Sequence, residues 1–523
     1  SRLQATLAAS FFYPYPKPLE MARVDFRLLK YSSVLPIMLA GTGSDVGKSM
    51  LAAGLCRIFR QDGYNPAPFK AQNMALNSYA TPDGFEIGRA QAVQAEAACV
   101  PCSTDMNPLL LKPSGDCTSQ VVLNGKPVGN CSSRDYFRRE GRQMLVEEVH
   151  RAFDRLSSRY DPIVMEGAGS ISELNLRDLD LVNMSMARYA GARVLLVADI
   201  DRGGVFASAY GSVMLQEECD RKLIKGIIVN KFRGDMSLFD DGRKILEKIC
   251  GVPVVGVVPY LKDIHIDEED SVALSGKSSR CCGGKINIAV VLLRHISNFT
   301  DFNRLERDSR VNLYYATTPG QITEADAVII PGTKSTIDDL LYLHESGMAQ
   351  AIMESREKGK MILGICGGYQ IMGESISDPY GVEGDPRTVP GLGLLPVATV
   401  LTTDKVTRQV EFAFLGGSEH CKGYEIHMGD TTITGSGTPV NVISAELPDG
   451  CMVDDRCMGS YIHGILDNDC VVRHILGECG VELAGNHPDD YDAWRDSQYN
   501  ALADALRRYL DMDAIYKIMR GDD

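Results

Sequence analysis

Two groups of residues in this chain have the types and spacing that chemistry requires. The first is Gly41-Thr42-Gly43-Ser44-Asp45-Val46-Gly47-Lys48-Ser49. It follows the apolar run Ile37-Met-Leu-Ala40 and precedes a helix-like segment, Met50 to Arg60. Glycines at a strand-to-helix turn let backbone N–H groups curl around phosphate oxygens, and the helix N-terminus adds partial positive charge. Lys48 is placed to neutralise the β- and γ-phosphates of a bound nucleotide, and the Ser49 hydroxyl to ligate Mg²⁺. The strict pattern has Gly where this chain has Thr42, so the loop is a variant one. The second group is Gly364-Ile-Cys366-Gly367-Gly368, entered by an apolar strand and left by a helix-like segment. Small residues on both sides of the cysteine permit the sharp turn that exposes a nucleophile, and the following helix N-terminus favours thiolate. Such a thiol needs a base. Downstream lie His420, His427, His463, His474 and His487. Two of them, His427 in Gly423-Tyr-Glu-Ile-His-Met-Gly429 and His463 in Gly459-Ser-Tyr-Ile-His-Gly464, sit in glycine-rich, strand-like contexts.

The elements that must position these groups alternate. Near-continuous runs of Val, Ile and Leu at 161–165, 192–198, 225–229 and 252–258 are separated by helical patterns. That argues for an α/β fold with a doubly wound parallel sheet covered on both faces. Ligands gather at the carboxyl ends of such strands. Glu166 ends one strand and is placed to meet the Mg²⁺. Asn230 and Lys231 end another, where phosphate-loop proteins of this type hold the purine. Lys70, Gln72 and Asn73 follow the second strand. Leu109 to Pro113 and Ser119 to Gly125 have hairpin-like spacing. The pattern breaks between Leu261 and Lys285, in an acidic and then Gly/Ser-rich stretch. The expected division is an extension over 1–34, a phosphate-loop domain over 35–262, a linker over 263–285, a second α/β domain over 286–510 and a tail over 511–523. The helical pattern from Trp494 to Ile518 is read as packing.

The bulk properties agree with two or more soluble domains: 523 residues, 44% apolar and 24% charged. A net charge of -15 argues against nonspecific binding to nucleic acid or anionic membrane. No run of about 18 apolar residues suggests a membrane span. Fifteen cysteines, an odd number with no paired metal-ligand spacing beyond an isolated Cys99-Val-Pro-Cys102, suit a reducing cytoplasm.

With these residues in place, a resemblance becomes specific. The Cys366 and His463 segments resemble class I glutamine amidotransferases, and the variant loop with Asp45 before Gly-Lys-Ser resembles that of dethiobiotin synthetase. The two in this order are similar to the amidotransferases of the cobalamin pathway. Phe69-Lys-Ala-Gln-Asn-Met74, Asn77-Ser-Tyr79, Gly88-Arg-Ala-Gln91, Ser119-Gln-Val-Val122, Ala198 to Phe206 and Gly423 to Gly429 resemble the cobyric acid synthase family over about 35–510. The resemblance implies ATP- and glutamine-dependent amidation of the b, d, e and g carboxylates of adenosylcobyrinic acid a,c-diamide, with an ATP used for each. It implies Cys366 and His463 as a catalytic pair, and an oxyanion held by backbone N–H groups near Gly332 and Gly367. Nucleotide contacts fall at Thr42, Gly43, Asp45, Val46, Gly47, Lys48, Ser49 and Asn230, and Mg²⁺ at Ser49 and Glu166. Lys70, Arg89 and Lys112 are expected near the polyanionic corrinoid, with Gln72 and Asn73 bonding its side chains. One departure stands out: Ile465 occupies the position, two after the histidine, where most class I members have Glu. A dyad is therefore expected, with no sequence signal for what orients His463; Asp467 and Asp469 are near only in sequence. Two rivals share parts of the pattern. One is the sister enzyme that amidates the a and c carboxylates, and the other is a phosphate-loop ATPase with an inactive amidase domain.

Overall fold

Alternate residues of the first strand serve opposite layers. Ile37 and Leu39 enter one apolar cluster, and Met38 and Ala40 another, as the period-two side-chain alternation of a strand dictates. The computed structural model describes residues 34–115, 118–132, 142–267, 280–444, 447–481 and 490–522. The extension expected over 1–34, apart from its last residue, and the middle of the expected linker lie outside them.

The first sheet has six strands in the order Val254–Pro259, Ile224–Phe232, Arg193–Asp199, Ile37–Gly41, Ile163–Glu166, Ala67–Phe69, with every pair parallel. Helices Lys48–Gln61 and Arg89–Ala97 cover one face, and Arg142–Ser157, Met184–Ala190, Val205–Met214 and Asp240–Cys250 the other. This is the doubly wound arrangement expected, and it brings the phosphate loop, Lys70, Glu166 and Asn230 to one carboxyl edge. The hairpin-like segments pair antiparallel as Leu109–Gly115 with Thr118–Leu123.

The second sheet runs Val311–Ala316, Ile286–Val291, Ala327–Ile330, Met361–Ile365, Cys457–Ser460, Cys451–Asp454. Its first five strands are parallel and the last is antiparallel. The carboxyl ends of Ile286–Val291, Ala327–Ile330, Met361–Ile365 and Cys457–Ser460 lead towards Asn298–Asp301, Gly332, Cys366 and His463 respectively. Beside it, the long strands Val397–Phe414 and Cys421–Ile433 pair antiparallel.

The chain's end packs away from the second sheet. Expected as the close of a 286–510 domain and a tail, helices Tyr491–Tyr509 and Met512–Arg520 instead pack on the first sheet's layer. Leu502 and Leu506 lie over the phosphate-loop helix so closely that a Cβ on Gly54 would come within 2.2 Å of Leu506 Cδ1. Asp511 N–H bonds to the Val255 carbonyl at 2.7 Å, and Arg57 pairs with Asp496 at 2.6 Å. The physical reason is exposure: the helix over residues 48–61 buries Leu51, Leu55, Ile58 and Phe59 completely or nearly so, and the sheet alone cannot cover all of them. The returning helices supply the missing layer and tie the two halves together a second time.

The halves also meet directly. Ser78 N–H donates to Asn298 Oδ1 at 2.9 Å, Gln409 Nε2 to the Ala80 carbonyl at 3.0 Å, and the Tyr79 and Tyr424 rings lie 4.6 Å apart. Two sequence strings far apart in the chain, Asn77-Ser-Tyr79 and Gly423 to Gly429, therefore form one interface. No helix among the described residues is long and apolar enough to cross a membrane.

Candidate active sites

The phosphate loop turns through Gly47 at φ 92°, a left-handed conformation open to glycine. Space also demands glycine there, since a Cβ would stand 2.2 Å from Asn230 Nδ2. That amide donates to the Val46 carbonyl at 2.8 Å, so Asn230 braces the loop's backbone. Thr42 extends the strand: its N–H bonds to the Val197 carbonyl at 3.0 Å and it bridges to Ser170. Lys48 folds back over the loop, donating to the Gly43 and Gly169 carbonyls at 3.0 and 3.1 Å. Asp45 lies at the exposed rim, paired with Arg202 at 2.6 Å.

Glu166, 2% exposed, is the hub of this centre. Its Oε1 accepts from Ser49 Oγ at 2.8 Å and from Lys70 Nζ at 2.9 Å, and its Oε2 from Gln94 Nε2 at 2.6 Å. Burial opposes its charge, but the Lys70 ammonium and the Lys70, Gln94 and Ser49 hydrogen bonds outweigh that and hold the carboxyl below its ordinary range. The buried amide oxygen of Gln94 has no hydrogen-bond partner among the described residues. A hydroxyl, a carboxylate and a spare amide oxygen form a hard-oxygen set that fits Mg²⁺.

The second centre is built on strain. Cys366, at φ 52° and ψ -108°, is a non-glycine residue in the left-handed region, a cost that persists only where surrounding packing imposes it. The packing is visible at Gly368, where a Cβ would fall 2.0 Å from the Ile330 carbonyl oxygen. Cys366, Gly367, Gln370, His427 and His463 line one pocket. The two histidines differ in their partners. His427 stacks on Tyr461 with ring centroids 3.8 Å apart, its Nδ1 lies 2.9 Å from the Gly429 carbonyl, and burial lowers its pKa to about 4. His463 Nδ1 lies 2.7 Å from Asp301 Oδ2, and Asp301 Oδ1 accepts the Gly464 N–H at 2.9 Å. Burial disfavours the imidazolium, but the Asp301 carboxylate and the Cys366 sulfur outweigh it and raise His463 to about 10.

The comparisons with known proteins fit both centres. Residues 37–272 match the CobQ/CobB/MinD/ParA nucleotide binding domain, and residues 287–471 the CobB/CobQ-like glutamine amidotransferase domain. The chain is 62% identical over 490 residues to cobyric acid synthase of Phocaeicola vulgatus, covering 93% of this chain and 99% of that protein. The chain belongs to the cobyric acid synthase family. The Bacteroides fragilis enzyme is 61% identical and that of Parabacteroides distasonis 54%, each over 93% of this chain and 99% of its own length.

Against this family background, the residues expected around the corrinoid do not form one patch. Lys70 belongs to the Glu166 cluster. Lys112 pairs with the fully buried Glu86 at 2.7 Å and reaches the Cys366 pocket. Arg89 pairs with Asp267 at 2.6 Å and lies over the Tyr79 ring. Asn73 donates to Gln91 Oε1 at 3.1 Å, and the neighbouring Gln72 is half-buried on the same short strand. Gly367 walls the Cys366 pocket, and Gly332 lies against the His463 ring, where a Cβ would come within 2.9 Å of Cε1. Asp301 is the residue that sequence reading missed. Asp469, weighed in its place, pairs with Arg304 at 2.7 Å, and the Asp467 carbonyl accepts from the same guanidinium. Asp301 reaches His463 from the short helix Phe299–Phe302, 162 residues away in the chain.

Proposed function

We propose that this chain makes cobyric acid by converting the b, d, e and g carboxylates of adenosylcobyrinic acid a,c-diamide to amides, using ATP and glutamine. The observation that carries the reading is the pairing, within one chain, of the Ser49–Glu166 phosphate-loop centre with the Cys366–His463–Asp301 constellation.

At the second centre, the Cys366 thiolate attacks the glutamine side-chain carbon, and backbone N–H groups around Gly367 and Gly332 stabilise the oxyanion. The His463 imidazolium, kept charged by Asp301, gives its proton to the departing nitrogen. Ammonia leaves, and water, deprotonated by His463, cleaves the thioester to glutamate and restores the thiol. The pocket wall includes Lys112, a residue of the nucleotide-binding half, so ammonia is released at the interdomain surface. At the first centre, the loop N–H groups and Lys48 hold the ATP phosphates while a corrinoid carboxylate takes the γ-phosphoryl group. The acyl phosphate exposes a carbon that ammonia attacks, with phosphate leaving. Ser49, Glu166 and the Gln94 amide oxygen would hold Mg²⁺, which offsets charge on the phosphates. Lys70, at the Glu166 carboxylate, fixes that group's orientation.

The test is mass spectrometry of corrinoid products after incubation with ATP and glutamine. Stepwise conversion of the a,c-diamide to the hexaamide is expected. Amidation of cobyrinic acid alone, stopping at the diamide, would assign the chain to the sister reaction.

Asp301→Asn should lower glutaminase turnover by about 10²- to 10⁴-fold, the range seen when a His–carboxylate pair loses its charge. The sign of its pH effect follows from His463. A raised pKa keeps the imidazolium to about pH 10, and activity depending on it falls only as pH rises through that value. Without the carboxylate, burial acts against the charge with less opposition, so the alkaline limb should move to lower pH. A glutaminase pH profile with an unmoved limb would remove Asp301 from this role.

A further inference from the structure

The pocket beside Cys366 carries more positive charge than its own pairs neutralise. Lys112, Lys334 and Lys405 all reach it, in a chain whose net charge is -15. Lys112 and Lys405 are both engaged by Glu86, a carboxylate with no exposed side-chain surface that bridges the two halves of the molecule. Lys334 is different. Its backbone N–H bonds to the His295 carbonyl at 3.0 Å, but among the described residues its ammonium makes no ion pair or side-chain hydrogen bond. Burial and the repulsion of Lys405 and Lys112 push it down to about 8. An ammonium left unpaired beside two others is a site whose charge calls for an anion. Across the same pocket stands Glu383, with Oε2 accepting the Ile337 N–H at 2.9 Å.

Position gives the anion's identity. Lys334 lies two residues beyond Gly332, on the loop that also approaches His463. Lys334 and Cys366 line the same pocket, so an ammonium there can meet the far end of a substrate whose side-chain amide lies at the thiol. We propose that Lys334 binds the α-carboxylate of glutamine, while Glu383 faces its α-ammonium group, so that the pocket selects an amino acid rather than any primary amide. The assignment rests on the reading of Cys366 as the glutaminase nucleophile.

The experiment compares glutamine with 4-aminobutanamide, which is glutamine without its α-carboxylate, in the full-length enzyme. In Lys334→Met, kcat/KM for glutamine should fall about 10- to 100-fold, mainly through KM, as expected for a lost charge-assisted hydrogen bond. The value for 4-aminobutanamide should change less than about twofold, because that substrate never used the contact. Lys334→Arg should recover part of the glutamine KM. Equal losses for both amides would show a general disturbance of the pocket and overturn the assignment, as would an unchanged glutamine KM. Glutaminase measured in Cys366→Ser alongside keeps the two readings apart. If it is lost there while Lys334→Met binds glutamine normally, only the Lys334 assignment fails.

Discussion

Cys366→Ser is expected to abolish amidation from glutamine, by about 10³-fold or more, while ammonium salts still support it. The reasoning is chemical and steric together. An alcohol in the same strained turn has the same position but is far less acidic than a thiol, so His463 and Asp301 cannot generate an adequate nucleophile from it. The acyl phosphate formed at the phosphate loop needs only ammonia, and the loop shares no residue with the elbow. Glutamate release and corrinoid amide formation, measured on the same samples, give both arms. Glutaminase that persists in the variant would sink the nucleophile assignment, and failure with ammonium salts as well would show that Cys366 serves the fold.

Glu166→Gln should have the opposite pattern. Amidation should fall about 10²- to 10⁴-fold whichever nitrogen source is supplied, and glutaminase should continue without productive coupling. Glu166 gathers Ser49, Lys70 and Gln94 within 2.9 Å, so the change removes a hard ligand and leaves the Lys70 ammonium without its carboxylate. A stranded buried charge can cost about 3–5 kcal/mol of stability. Ser49→Ala separates the two effects, because it deletes the hydroxyl and leaves the Lys70–Glu166 pair intact. Loss of amidation in both variants, with thermal unfolding shifted only in Glu166→Gln, is the expected result. Full amidation in both would exclude this centre as the site of phosphoryl transfer.

Much of each centre is legible because its signal is contiguous. A strand, a glycine turn and a helix follow one another within 37–61 and again within 361–372, and the backbone conformations they need are written in consecutive residues. Glu166 is legible for a related reason, since an acid closing an apolar run must emerge at the strand's carboxyl edge. The two candidate histidines are a harder case. Both lie in glycine-rich, strand-like sequence, and burial without a carboxylate separates His427 from His463 only once the partners are known.

Long-range pairing decides the rest. Asp301 follows the strand Ile286–Val291 and His463 the strand Cys457–Ser460, and nothing local marks an acid at 301 as the one that meets Nδ1. The lysines and arginine expected around the corrinoid are basic residues whose roles are set by their carboxylates. Glu166 claims Lys70, Glu86 claims Lys112 together with Lys405, and Asp267 claims Arg89. The closing helices show the same limit, because an amphipathic helix announces a buried face but not which surface will bury it. Sequence alone thus determined two α/β units, a phosphate loop and a nucleophilic elbow, since each is a property of adjacent residues. Only the tertiary structure decided that the chain's end covers the loop's helix, that Asp301 holds His463, and that Lys334, beside the thiol, has no ion-pair partner among the described residues, because each depends on which distant surfaces pack together.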